Sequence, residues 1–508
     1  MSDYKKLQNG SDIRGIAIDG AAGETPNLTS REAEHIAAGF TAWLKDKIGG
    51  NAVTVAVGRD PRVSGPDLLQ GLLKGFCKGG VRVFDAGLAS TPAMFMSTIF
   101  DDIKDGGACD GAVMITASHL PFNRNGFKFF TKDGGLDKKD IAEILELASD
   151  DAEKAGADSA AAEAKGLALM DEYCAHLQQL IREGVSGESP DAPDEKPLSG
   201  MKIVVDAGNG SGGFFAEKVL KPLGADISGS QFLEPDGMFP NHAPNPENKE
   251  AMEAISSQVI RTGADLGLIF DTDVDRSAAV DEQGREIARN GIVAMAAALA
   301  AEDHPGTTVV TDSITSRQLT EFLEGKLGLK HLRYKRGYKN VINKAIELNR
   351  EGIDCQLAIE TSGHAALREN YFLDDGAYLA VKIVIKAALL KREGKPISSV
   401  LADLEDPADE KEVRIPIQTE DFGAYGDKVL DDLKAWVSAQ DGMTLTEPNY
   451  EGVRIDFGDG WCLLRKSLHD PILPMNMASD REDGCKDITA VMKEFLGDYE
   501  MLGLDDVL

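Results

Sequence analysis

Three times in this 508-residue chain an apolar, strand-like run stops abruptly in a short polar tip. Residues 112–115 lead into Thr116-Ala117-Ser118-His119, LGLIF leads into Asp271-Thr272-Asp273-Val274-Asp275-Arg276, and QLAI leads into Glu360-Thr361-Ser362-Gly363-His364. Runs of this length and composition read as buried strands. A buried strand has no use for a polar tip, except at its carboxyl end, where open α/β sheets place their ligands. Helical patterns separate the strands, so the order is βαβ and the expected sheets are largely parallel. A Ser-His pair alone is more often a plain polar loop. The two further tips, and a fourth polar stretch at Arg465-Lys466-Ser467-Leu468-His469, shift the reading toward chemistry.

The length suits about three to four domains of ~100 to 200 residues. We place them at 1–195, 196–305, 306–408 and 409–508, one polar loop in each, arranged around one cleft. Near the start, Thr29 and Glu32 fit a capping box, followed by the apolar helical face Ile36, Phe40, Trp43 and Leu44. Residues 184–200, with Pro190, Pro193 and Pro197 among Ser, Asp and Glu, read as a linker. In 453–464 the residues alternate about the turn Gly458-Asp459-Gly460, and a terminal helix follows over 483–496. The last domain is therefore expected to be α+β with antiparallel pairing. The turn Gly208-Asn209-Gly210-Ser211-Gly212-Gly213 satisfies a dinucleotide-binding pattern, but no acidic residue follows at the expected distance. Tight reversal and close packing are the preferred reading.

A net charge of −31 argues against nucleic acid and anionic membranes as partners. No window approaches ~18 uninterrupted apolar residues. Six cysteines without a CxxC pair suggest neither a disulfide framework nor a zinc ribbon, and point to a reducing compartment. The N-terminal residues lack a signal core, so the expected location is the cytoplasm, with the plastid stroma as the alternative if a transit peptide has been removed. An anionic substrate must be met by local cations, for which Arg14, Arg59, Lys128, Arg276, Lys339 and Arg465 are available.

Asp271, Asp273 and Asp275, at i, i+2 and i+4 past a strand, can converge on a hard cation, and all-oxygen ligands favour magnesium or calcium over zinc. Glu282 falls where an EF-hand would need its last ligand, but Arg276 occupies the position that needs glycine.

Taken together, TASHLPFNRNGFK, DTDVDR, ETSGH and RKSLHD, in that order, with DIRG near the N-terminus, resemble the α-D-phosphohexomutases, the phosphoglucomutase and phosphomannomutase superfamily. The flanks KLQNGSDIRG and RKSLHDPILP resemble its plant and algal plastid branch. The resemblance implies a hexose 1-phosphate to hexose 6-phosphate interconversion through a phosphoserine at Ser118 and a hexose 1,6-bisphosphate. It implies Mg2+ held by Ser118, Asp271, Asp273 and Asp275. Arg14, Arg276 and Lys128 would hold phosphoryl oxygens, and Lys128 or His119 would act as general acid/base. Lys339, Glu360, Ser362, His364, Arg465, Ser467 and His469 would bind the phosphosugar. Glucose and mannose phosphates are the first expectation, glucosamine phosphate the alternative within the family, and a monomer or homodimer the expected state. DTDV also resembles the aspartyl-nucleophile motif of haloacid dehalogenase-type phosphatases, with Asp271 phosphorylated, and a non-catalytic sugar-phosphate sensor is the third reading.

Overall fold

The computed structural model describes residues 4–20, 23–103, 107–154, 163–186, 195–467 and 470–504. It divides into two compact units, Met1–Leu299 with Ser362–Val400 and Ala300–Thr361 with Leu401–Leu508.

In the first unit, one sheet runs in the order Gln8–Asn9, Asp12–Ile16, Arg124–Thr131, Gly111–Ile115, Thr54–Arg59, Arg82–Leu88, Lys165–Gly166. Thr54–Arg59 is parallel to both of its neighbours. Arg124–Thr131, which returns from the Ser118 tip, is antiparallel to Gly111–Ile115 and to Asp12–Ile16. Only residues 116–123 join the two central strands, too few for the dozen or more that a parallel crossover needs, so the return must be antiparallel. The sheet is therefore mixed. Helix Ser30–Ile48 covers it, started by the Thr29/Glu32 capping box with Glu32 Oε2 accepting from Thr29 N at 3.0 Å. Its face buries Ile36, Phe40, Trp43 and Leu44, and Phe40 lies 4.7 Å, centroid to centroid, from Phe129 of the sheet.

Helix Leu169–Ser186 runs into the stretch read as a linker, because Leu177, Ile181 and Val185 continue one buried face past the expected end. Residues 187–194 lie outside the described residues. In the second sheet Ile203–Asp206 is parallel to Leu266–Phe270, and Ser277–Val280 and Glu286–Ile287 follow antiparallel. Residues 271–276 form the reversal between Leu266–Phe270 and Ser277–Val280. The hairpin Ala365–Leu367 with Leu373–Asp374 leads into helix Gly376–Arg392, capped by Asp375, whose Oδ1 accepts from Tyr378 N at 2.8 Å. That helix packs on strand Ser277–Val280 and on helix Leu169–Ser186.

In the second unit Lys330–Arg333, Thr308–Thr311 and Cys355–Ile359 are parallel. Asp409–Pro416, Ile472–Ser479, Gly460–Leu464, Val453–Asp456 and Thr444–Leu445 form an antiparallel sheet. Helices Phe422–Val437 and Gly484–Leu496 cover it, with Val429, Leu433, Met475, Ile488 and Met492 in one core. The C-terminal α+β expectation matches this sheet, and the three polar tips do follow Gly111–Ile115, Leu266–Phe270 and Cys355–Ile359. Among the described residues no helix is long and apolar enough to cross a membrane.

Candidate active site and metal centre

Ser118 stands at the end of strand Gly111–Ile115 with φ +50°, in the left-handed region, and is 2% exposed. A non-glycine residue there carries strain that the surroundings must hold. Its amide donates to Thr116 Oγ1 at 2.8 Å, and its own Oγ donates to Asp271 Oδ2 at 2.8 Å. His119 Nδ1 lies 3.3 Å from that Oγ, and Arg276 Nη2 3.4 Å. A hydroxyl in this position faces a carboxylate, an imidazole and a guanidinium at once.

Asp271, Asp273 and Asp275 are buried and bring one oxygen each to within 4.8 Å of one another. The backbone reverses through Val274, at φ +67°, which directs alternate side chains inward. Arg276 reaches back across the turn to Asp271 Oδ2, with Nη2 at 3.2 Å, and its Nη1 donates to Asn245 Oδ1 at 3.1 Å. Lys128, from strand Arg124–Thr131, contacts Asp275 Oδ2 and lies 3.3 Å from Asp273 Oδ2. Burial and the charges of Asp275 and Asp273 push the Asp271 carboxyl well up. Burial also acts on Asp275, but Lys128, His364 and Arg276 outweigh it and hold that carboxyl below the usual range.

Asp273 Oδ1 and Asp275 Oδ1 are buried without a hydrogen-bond partner among the described residues. Such orphaned oxygens are costly unless something satisfies them. Crowded hard oxygens are what a divalent cation of the magnesium or calcium kind takes, so the residues present fit one. Glu282 is not part of this group: its Oε1 accepts from Ser398 Oγ at 2.6 Å, which removes the EF-hand reading.

His119 and His364, both of the first unit, carry opposite charge states. Burial, with Arg276, Arg14 and His364 nearby, pushes His119 down to about 2, so it is neutral near pH 7. Burial works against the cation of His364 too, but Asp374 and Asp275 overcome it and raise the group to about 9. His364 Nδ1 is in contact with Asp374 Oδ2 and 3.9 Å from Asp275 Oδ1. Arg14, half-buried on strand Asp12–Ile16, pairs with Asp12 at 2.9 Å. Ser118, His119, Lys128, Arg14, Arg276, the three aspartates and His364 thus all belong to the first unit, as does Ser362.

The second unit holds Lys339, Glu360, Arg465 and Ser467. Glu360 ends strand Cys355–Ile359 and accepts from Gly337 N at 2.6 Å. Thr361 Oγ1 donates to Asp312 Oδ2 at 2.8 Å, fixing the residue next to Glu360. Lys339 lies in the first turn of helix Tyr338–Arg350. Arg465 leaves strand Gly460–Leu464, half-buried, with its Nε buried and without a hydrogen-bond partner among the described residues. Burial and the neighbouring charge of Arg336 weaken the Arg465 cation. Ser467 Oγ accepts from Asp470 N at 3.2 Å, and His469 lies outside the described residues.

Comparison with known proteins decides what this arrangement belongs to. Residues 5–155, 171–284 and 289–407 match, in turn, the alpha/beta/alpha domains I, II and III of phosphoglucomutase/phosphomannomutase. A phosphomannomutase/phosphoglucomutase of Pseudomonas putida is 30% identical over 447 residues, covering 87% of this chain and 88% of its own. The chain belongs to the phosphoglucomutase/phosphomannomutase family. A phosphoglucomutase of Neisseria meningitidis is 30% identical over 476 residues, covering 93% and 92%. A phosphoglucomutase/phosphomannomutase family protein of Burkholderia thailandensis, solved by crystallography, superposes with a TM-score of 0.79 at 26% identity over 98% of both chains. As a member of this family the chain is a phosphohexomutase, an isomerase, and neither the phosphatase nor the sensor reading is favoured.

Sequence reasoning missed several residues around this family's motifs. Thr91 grips the aspartate loop from the first sheet's side, its Oγ1 donating to Asp273 Oδ2 at 2.5 Å and its amide to Asp273 O at 2.8 Å. Only the helix-start signal Ser90-Thr91-Pro92 marks it in the sequence. The glycine turn after Ile203–Asp206 also supports that loop: Ser211 N donates to Thr272 O at 2.7 Å, and a Cβ on Gly210 would lie 2.8 Å from Thr272 Cα. Close packing, as preferred, explains those glycines. Asp374, beside His364, carried no pattern of its own.

Proposed function

We propose that this chain interconverts hexose 1-phosphate and hexose 6-phosphate, with glucose and mannose phosphates as substrates, through a phosphorylated Ser118 and a hexose 1,6-bisphosphate. The observation that carries the proposal is the Ser118 hydroxyl, 2.8 Å from Asp271 Oδ2 and faced by Arg276 at 3.4 Å beside a buried aspartate triad. Phosphoryl transfer needs mainly positioning and charge neutralisation, and a bound magnesium ion supplies the latter. Asp271, Asp273 and Asp275 would hold that ion, with an oxygen of the Ser118 phosphoryl group as a further ligand. Arg276 and Lys128 add fixed positive charge around the transferring group, and His364, kept protonated by Asp374, extends it. His119, kept neutral, can accept a hydrogen bond without adding charge. In the second unit Glu360 is the acceptor for sugar hydroxyls, and Arg465 with Ser467 and Lys339 the donor set for the phosphate that does not react.

The test has two parts. Peptide mapping before and after incubation with glucose 1,6-bisphosphate should find phosphate on Ser118, and a coupled assay should show turnover of glucose 1-phosphate or mannose 1-phosphate. Phosphate on Asp271 and never on Ser118 would overturn the carrier assignment. Turnover of glucosamine 1-phosphate alone would replace the substrate assignment.

A further inference from the structure

Strand Thr54–Arg59 ends in Asp60-Pro61-Arg62, and Arg62 is among the largest fully buried side chains described, 1% exposed. Its guanidinium carries five N–H donors, and all five have acceptors. Nη2 donates to Ser118 O at 2.5 Å and Leu120 O at 2.6 Å. Nη1 donates to Pro121 O at 2.6 Å and Arg124 O at 3.1 Å. Nε donates to Asp60 Oδ2 at 3.1 Å, while Asp60 Oδ1 accepts from the Arg62 amide at 2.9 Å. Asp60 is itself pinned, its amide donating to Ile115 O at the end of the Ser118 strand. Four carbonyls aimed at one point repel one another, and only a planar fork of donors can hold them there.

The face of this fork is also fixed. Phe239, on the loop that follows the glycine turn, places its ring centroid 5.1 Å from the Arg62 guanidinium carbon. Gly237 of that loop lies so close that a Cβ would fall 2.3 Å from Pro61 O. Arg62 therefore ties the tip around Ser118 to the segment that follows the turn supporting the aspartate loop.

We propose that Arg62 is the positioning residue that holds Ser118 in its left-handed conformation, and so sets the aim of its hydroxyl at Asp271 and Arg276. The inference rests on the reading of Ser118 as the phosphoryl carrier. Arg62 touches no reacting atom, since its bonds to the loop are all to main-chain oxygens. A loosened tip lowers the rate of transfer to and from Ser118, because small misplacements of a reacting group cost large factors in rate. Sugar binding, which draws on other residues, stays as it is.

The experiment follows Ser118 phosphorylation by glucose 1,6-bisphosphate in single turnover, together with steady-state kcat and KM, for the full chain and for Arg62→Lys, Arg62→Ala and Phe239→Leu. Lysine has three donors and cannot serve four carbonyls and a carboxylate. Arg62→Lys should lower kcat and the phosphorylation rate together by about 100-fold, with KM within about threefold. Arg62→Ala should lower them at least as far. Phe239→Leu, which keeps every donor, should lose about three- to tenfold and folds even if an Arg62 variant does not. A folded Arg62→Lys with unchanged phosphorylation rate overturns the proposal, and so does a rise in KM at constant kcat. If the unsubstituted protein never carries phosphate on Ser118, the carrier reading itself has failed. If Ser118 is phosphorylated at equal rates in all variants, only the role of Arg62 has.

Discussion

Replacing Arg465 by Met should move binding and stability in opposite directions. Its Nε is buried without a hydrogen-bond partner among the described residues, and burial together with Arg336 disfavours its charge. In the free protein this side chain is therefore a cost, since an under-compensated cation is held partly away from water. Against a substrate phosphate the same side chain can offer two parallel donors, each charge-assisted bond contributing roughly 1.5 to 3 kcal/mol. Arg336 remains nearby in the variant, and water re-solvates the released oxygens, so the net loss should be nearer one bond than two. That corresponds to about a 10- to 150-fold fall in kcat/KM for glucose 1-phosphate. The thermal midpoint should stay level or rise, because methionine fills the volume without charge. Coupled kinetics and differential scanning calorimetry measure the two quantities, and the phosphate content of Ser118 should stay unchanged. A variant with unchanged kcat/KM and a midpoint several degrees lower would refute the clamp and make Arg465 a structural residue.

Further outcomes follow from the first unit. Ser118→Ala should remove mutase turnover while leaving the thermal midpoint in place; residual turnover at wild-type rate would exclude the phosphoserine. Asp273→Asn should weaken cation binding by more than about 100-fold, beyond what changes outside the ligand set usually cost, and calorimetric titration with Mg2+ or Mn2+ checks it. The same variant should stay folded in chelator, since Lys128 still neutralises Asp275. Glu360→Ala should damage turnover of glucose and mannose phosphates alike, in a side-by-side coupled assay. Tyr173→Phe removes a 2.8 Å hydrogen bond from the buried Asp375 and should destabilise the fold by about 1 to 3 kcal/mol. Burial raises Asp375 from 3.8 to about 6, so its ionisation weighs against folding: the penalty is absent below about 4 and complete above about 6. The Tyr173→Phe loss should accordingly be larger at pH 7.5 than at pH 4.5 in thermal melts.

Much of the frame was legible because its signals are local. The capping box at Thr29 and Glu32 needs three intervening bonds of chain, and the polar tips stand out against the strands that precede them. Spacing i, i+2, i+4 announced the aspartate triad for the same reason. What escaped depends on distance in the chain. Thr91 meets Asp273 across 182 residues, and Arg62 meets the Ser118 tip across 56. Nothing local separates Arg62 from any other arginine in a turn, and a guanidinium whose bonds to the Ser118 tip all go to main-chain oxygens leaves no partner residue type there to search for. The antiparallel return after Ser118 was readable in principle from the short connection, whereas the reach of helix Leu169–Ser186 was masked by the prolines that follow it.

The order in which the chain is made bears on how the first unit can form. It closes only when Ser362–Val400 is available, because helix Gly376–Arg392 covers strand Ser277–Val280 and packs on helix Leu169–Ser186. Between residue 299 and residue 400 the ribosome adds 101 residues (400 − 299), which at about 5 to 20 residues per second takes roughly 5 to 20 s. During that interval both sheets of the unit exist, with an apolar face still waiting for its helix. Nascent chains stalled near residue 300 should therefore recruit chaperones, and gene fragments ending there should yield insoluble protein, although they contain Ser118 and the whole aspartate triad.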